Sequence, residues 1–182
     1  MNGLRRAARS LFFIASLVSL SLNGCVHHIH VAPLPSDQAT ATLPYSVRVN
    51  LLHLSIEGAD HMPGIPAFEW PPRDLRLAVV EYIRKRQTFT AVTDEAADLT
   101  LSIKSWLTMT SRAEYRYAIR LEAELGPFGK PPIKTYLTQA EEAGSTVRWV
   151  TASDQAPIER AVQTALDGLL SQIETDAGLY RK

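Results

Sequence analysis

Residues 114–125 read Glu-Tyr-Arg-Tyr-Ala-Ile-Arg-Leu-Glu-Ala-Glu-Leu, and the alternation in them decides the fold. Tyr115, Tyr117, Ile119, Leu121, Ala123 and Leu125 hold every odd position, while Glu114, Arg116, Arg120, Glu122 and Glu124 hold even ones, broken only by Ala118. Successive side chains of a strand point to opposite faces, so this is a long antiparallel strand with one dry face and one wet face. Gly126–Pro132 (GPFGKPP) supplies a turn, and Ile133–Ala140 reads as the return strand. Upstream, Leu99, Leu101 and Ile103 alternate with Thr100, Ser102 and Lys104 in a strand that can run on to Met109, and Phe89–Val92 is a short strand or turn before it.

The first strand spans 45–57. Val47, Val49 and Leu51 share one face, then Leu52, Leu54 and Ile56 share the other. That change of phase at Leu51–Leu52 requires a bulge, or a strand covered on both sides. Two helices complete the set. Leu75, Ala78, Val79, Tyr82 and Ile83 recur at helical spacing from a start near Arg73 or Asp74, after Pro71-Pro72. Arg84, Lys85 and Arg86 fall in the last turn, where cations offset the helix dipole. Ile158, Ala161, Val162, Ala165, Leu166, Leu169, Leu170 and Ile173 form a longer stripe, starting near Pro157 with Ser153 or Asp154 as cap and stopping near Gly178. The expected architecture is α+β: a two-layer sandwich, β-α-β-β-β-α, with two amphipathic helices on one face of a mainly antiparallel sheet of about four strands.

The N-terminus reads as an address. Arg5, Arg6 and Arg9 precede an uncharged apolar run, Leu11–Leu22, too short to span a bilayer as a stable helix. Leu22-Asn23-Gly24-Cys25 follows, and Cys25 is the single cysteine of the 182 residues. This ending resembles the bacterial lipobox: Leu22, Gly24 and Cys25 match, and Asn23 departs from the usual Ala or Ser. The resemblance implies a signal peptide over 1–24, cleavage before Cys25, and an N-acyl diacylglyceryl group on Cys25. Several acyl chains, each contributing about 0.8 kcal/mol per buried CH₂, make such an anchor durable. With Val26 rather than Asp after the cysteine, it also implies the outer membrane, facing the periplasm. Residues 25–44, with Pro33, Pro35 and Pro44, read as the lipidated cysteine and a flexible tether, and 45–178 as one α+β domain.

Composition excludes some functions. Removing Arg5, Arg6 and Arg9 from the 19 basic residues leaves 16 against 19 acidic ones, and no basic stripe is visible, which argues against nucleic acid. No phosphate loop, H-E-x-x-H, G-x-S-x-G or C-x-x-C is present. His27, His28 and His30 cluster without a carboxylate or free thiol to close a metal site, so no metal and no cofactor beyond the lipid is expected. Asp60, His61 and Glu69 lie in the Pro/Gly-rich loop 58–72, which offers no held geometry for acid–base work, so no catalytic residue is expected. Met62, Phe68 and Trp70 in that loop either fold onto the core or form a partner contact. Glu122 and Glu124 beside Arg116 and Arg120 read as a salt-bridged wet sheet face.

Phe89-Thr90-Ala91-Val92 and Ala97-Asp98-Leu99-Thr100-Leu101, together with the lipobox and the order of elements over 45–175, are similar in layout to small envelope lipoproteins. These include the auxiliary lipoproteins of ABC-type lipid transport systems and the lipopolysaccharide-assembly lipoprotein. The resemblance implies a non-catalytic outer-membrane lipoprotein, an accessory or assembly component of a cell-envelope complex, with a membrane and an envelope protein as partners. The alternative is a periplasmic binding module for a lipid or other small apolar ligand.

Overall fold

The alternating segment 114–125 lies between two antiparallel neighbours in a five-stranded sheet. The computed structural model describes residues 26–28, 30–58, 67–111, 114–144 and 152–180. In chain order the elements are β1 (Val26–His28), β2 (Leu43–Gly58), β3 (Ala67–Glu69), α1 (Pro72–Arg86), β4 (Phe89–Val92), β5 (Leu99–Ser111), β6 (Tyr115–Pro127), β7 (Lys134–Ala143), α2 (Ala152–Thr175) and a 3₁₀ turn (Ala177–Tyr180). The main sheet has the order β4-β2-β5-β6-β7, and β1 and β3 form a separate parallel pair. The class is α+β with two helices on the sheet, as the periodicity predicts. The sheet is mixed rather than mainly antiparallel, because β2 runs parallel to both β4 and β5. Phe89–Val92 is the fifth strand.

The phase change in β2 is a bulge. Leu51 pairs with Ile103 and His53 with Lys104, leaving Leu52 as the extra residue, 56% exposed. The bulge returns Leu54 and Ile56 to the face of Val47 and Val49, where they pack against the core. One unpaired residue therefore keeps the whole strand in register with the dry face of β5.

That dry face meets both helices. Leu101, Ile103, Ile119, Leu121 and Tyr136 from the sheet are buried with Leu75, Val79 and Ile83 from α1 and Ile158, Val162, Leu166 and Leu169 from α2. Each such side chain contributes roughly 1.5–3 kcal/mol when fully buried. Pro72 occupies the first turn of α1, where no N–H is needed. The helix ends on Gln87 in the left-handed region (φ 64°), whose N–H donates to the Ile83 carbonyl. Helix α2 starts earlier than its stripe suggests, at Ala152, with Pro157 inside it. Asp154, an expected cap, is buried and accepts a hydrogen bond from the Tyr117 hydroxyl.

The Ala97–Leu101 motif has a structural reason. Asp98 stands where the chain, having run along one side of β2 as β4, enters β5 on the other side. Its carboxylate accepts from the Ser46 N–H (2.9 Å) and hydroxyl (2.7 Å), and its own N–H donates to Ser46 Oγ (3.0 Å). Gly126 serves the next turn: a Cβ there would lie 2.7 Å from the Pro132 Cα, so the return chain could not pass so close.

Residues 30–43, whose composition reads as a tether, run as a strap across both helices. Gln155 Nε2 donates to the His30 carbonyl (2.6 Å), the Ala32 N–H to Glu159 (3.3 Å), and Gln163 Nε2 to Ser36 Oγ (3.0 Å). Val31 and Leu43 enter the core. Polar helix side chains satisfy backbone groups that sequence alone leaves to water. At the far end Arg86, 3% exposed, closes a buried cluster. Its guanidinium donates to Glu174 through Nε (2.9 Å) and Nη2 (3.2 Å), to Asp167 (2.8 Å) and to Ser171 (3.0 Å). Glu174 also accepts from the Thr40 N–H and hydroxyl and from Thr88. Burial pushes the Glu174 carboxyl upward, but its bonds from Arg86, Thr40 and Thr88 outweigh that and hold it below the ordinary glutamate value. Arg86 is thus a buried clamp between α1, α2 and the strap, beyond the dipole role its sequence position suggests.

Candidate functional site: the bare face of the sheet

The helices cover one face of the sheet, and the even-numbered side chains of β5 and β6 form the other. Strand β5 continues its alternation past Lys104, so Trp106 falls on the wet side, opposite Arg120 on β6. The Trp106 ring is half-buried between two neighbours: the Arg120 guanidinium lies 5.0 Å from its centroid, and the His53 ring from β2 is 5.5 Å away, tilted by 50°. A guanidinium within about 6 Å of an indole face is attracted by the ring quadrupole. His53 and Lys104 are paired in register, and the bulge at Leu52 puts the imidazole on this side.

Ion pairs frame the tryptophan. Lys104 Nζ reaches Glu122 (2.8 Å) and Glu124 (3.8 Å), and Arg120 lies 3.7 Å from Glu122. Arg116 joins Glu114 (2.7 Å) and Glu141 (2.8 Å). The hydrogen bond from Lys104 holds the Glu122 carboxyl below its usual range, and the same bond holds Lys104 above its own. This is the salt-bridged wet face expected from the sequence, with Lys104 as an added member. Leu137, 55% exposed, follows Glu122 in the next strand of the same register row. A half-buried tryptophan with an arginine, surrounded by ordered polar groups, is the composition on which protein contacts concentrate their energy.

The residues singled out from sequence fare differently. Trp70 is 3% exposed and belongs to the core, the first of the two alternatives left open for it. Its place next to the Pro71-Pro72 start of α1 turns it inward. Phe68 lies in β3, its backbone paired with His27 of β1. Cys25, Met62, Asp60 and His61 lie outside the described residues, and Glu69 is the last residue of β3. His30 Nδ1 is 2.9 Å from Asp74, and the backbone of His27 and His28 forms part of β1. Among the described residues no group of three or more His, Cys, Asp or Glu side chains could hold a metal. Sequence reading passed over Trp106, although its parity with Thr100, Ser102 and Lys104 marks it as an aromatic on a wet face.

A second feature is a depression of about 440 Å³ between the strap and α1, lined by Val31, Pro33, Leu77 and Ala78 with Glu81 and Lys85 at its side. Among the described residues no helix is long and apolar enough to cross a membrane.

No family model matches the chain, and no curated protein matches it. Solved structures do. A Xanthomonas campestris protein of the family DUF330 superposes with a TM-score of 0.60 at 16% identity, over 84% of this chain and 96% of its own. The protein CT253 of Chlamydia trachomatis superposes with a TM-score of 0.51 at 10% identity, over 72% and 98%. A candidate lipoprotein of Caulobacter crescentus overlaps more loosely, with a TM-score of 0.40 at 13% identity over 70% and 92%. At these identities the likeness is one of fold.

Proposed function

We propose that this chain is a non-catalytic lipoprotein of the bacterial cell envelope. In this reading Cys25 anchors it to the outer membrane, facing the periplasm, and it serves as an accessory or assembly component that works by protein–protein contact. The observation that carries the contact reading is Trp106, held between His53 and Arg120 on the sheet face opposite both helices. The LNGC ending and the apolar run before it support the anchor. The test is crosslinking and pull-down of the lipidated protein from native envelopes, with Trp106→Ala and Cys25→Ser beside the wild type. A truncated central anchor costs about 2 kcal/mol or more, so Trp106→Ala should lower partner recovery by at least about 30-fold. Equal recovery by the variant, or no partner for an anchored and folded wild type, defeats the reading.

The depression beside Leu77 favours a second reading, a binding module for a lipid or other small apolar ligand, since Val31, Pro33, Leu77 and Ala78 line it together with the charged Asp74, Glu81 and Lys85. Mass spectrometry after mild extraction, comparing wild type with Leu77→Asp, decides it: co-purifying lipid lost in the variant supports it, and no lipid in either removes it.

A further inference from the structure

Val26, the residue after Cys25, already pairs with Ala67, and His28 pairs with Glu69. In sequence Cys25 directly precedes this ladder, and consecutive Cα atoms are only about 3.8 Å apart. Two residues beyond β1, His30 is fastened twice. Its Nδ1 is 2.9 Å from Asp74 in the first turn of α1, and its carbonyl accepts from Gln155 near the start of α2. The strap then continues along both helices to Thr40 and Glu174. Acyl chains on Cys25 would therefore be joined to the body without a free leash.

Resting on the lipid anchor proposed above, we infer that the end of the domain carrying β1, β3 and the N-termini of α1 and α2 is seated on the lipid headgroups. The opposite end projects away from them. The topology separates the two ends well. Strands β2 and β5 finish at the seated end, at Gly58 and Ser111, and β6 starts there at Tyr115. The β6–β7 turn and the Ala177–Tyr180 turn lie at the other end, with the α2 C-terminus. Strand β5 has 13 residues; at about 3.3 Å per residue the ends stand on the order of 40 Å apart. Phe128, Ile133 and Leu179, each near half exposed, belong to the projecting end. Held there, they face proteins rather than lipid.

The experiment uses the full acylated chain in phosphatidylcholine vesicles containing a headgroup spin-labelled lipid. A fluorophore is placed on Arg73→Cys near the seated end, or on Lys130→Cys in the β6–β7 turn, both exposed positions. The expected result is several-fold quenching at position 73 and none at 130. A Gly/Ser insertion of about twelve residues between Cys25 and Val26 should abolish that contrast by adding a flexible leash. Equal quenching at both positions in an acylated chain, or a contrast that survives the insertion, overturns the orientation while leaving the anchor intact. A chain whose mass shows no acyl group on Cys25 overturns the anchor and the orientation together.

Discussion

The helix layer and the bare face of the sheet use the same ionic chemistry in opposite surroundings. Between the two helices and the strap, the Arg86 and Glu174 side chains are 4% and 0% exposed. On the bare face, those of Lys104 and Glu122 are 35% and 26% exposed. A buried pair pays a desolvation cost that only complete hydrogen bonding offsets, and Arg86 and Glu174 have it, from Thr40, Thr88, Asp167 and Ser171. The open pair stays solvated and screened. The buried cluster therefore holds the architecture, whereas the open one orders a surface around Trp106, the residue on which the proposed contact rests.

The sharpest way to break this contrast is Arg86→Ala against Lys104→Ala. The first strands the Glu174 carboxylate in the interior and should cost about 3–5 kcal/mol in urea unfolding. The second should leave the unfolding midpoint unchanged within error. Equal effects would remove the distinction between the two regions. A smaller effect is expected from Tyr117→Phe, which takes a buried donor from Asp154 at the start of α2 and should cost about 1–3 kcal/mol. A midpoint equal to wild type would mean that this bond does not tie α2 to β6.

Acid should sharpen the same contrast. The Glu174 carboxyl sits below its ordinary value in the folded protein. Its contribution is therefore complete above the unfolded glutamate pKa of about 4.3 and is lost as pH falls through the lower folded value. Wild-type stability should drop below about pH 4, and Glu174→Gln, less stable at neutral pH, should show a shallower drop there. Parallel profiles would exclude Glu174 as the source. The smallest effect is expected from deleting Leu52. Its removal joins Leu51↔Ile103 to His53↔Lys104 without changing the face of any other side chain, so circular dichroism and Tm should stay near wild type. A collapse of the fold on this deletion would show that the bulge itself is needed.

Much of the fold was legible because it is written in periodicity. The alternation in 114–125, the phase change at Leu51–Leu52 and the two helical stripes each mark a face, and burial follows faces. The candidate site was legible in part. The wet face of Glu122, Glu124, Arg116 and Arg120 could be read, but Trp106 escaped because an aromatic in a strand is ordinarily core. Trp70 stayed open between core and contact, because its Pro/Gly-rich surroundings carry no period, and the tertiary structure places it in the core.

The sequence by itself determined the α+β class, the inward stripes of both helices and of strands β5 and β6, the phase change at Leu51–Leu52 and the lipobox-like Cys25. These rest on local spacing, which a single segment carries. Only the tertiary structure decided that β2 runs parallel to both neighbours, that Arg86 meets Glu174 88 residues away, and that residues 30–43 are bound to the helices instead of leading freely to them. Those outcomes depend on which distant donors and acceptors burial brings together, and no local period records that pairing.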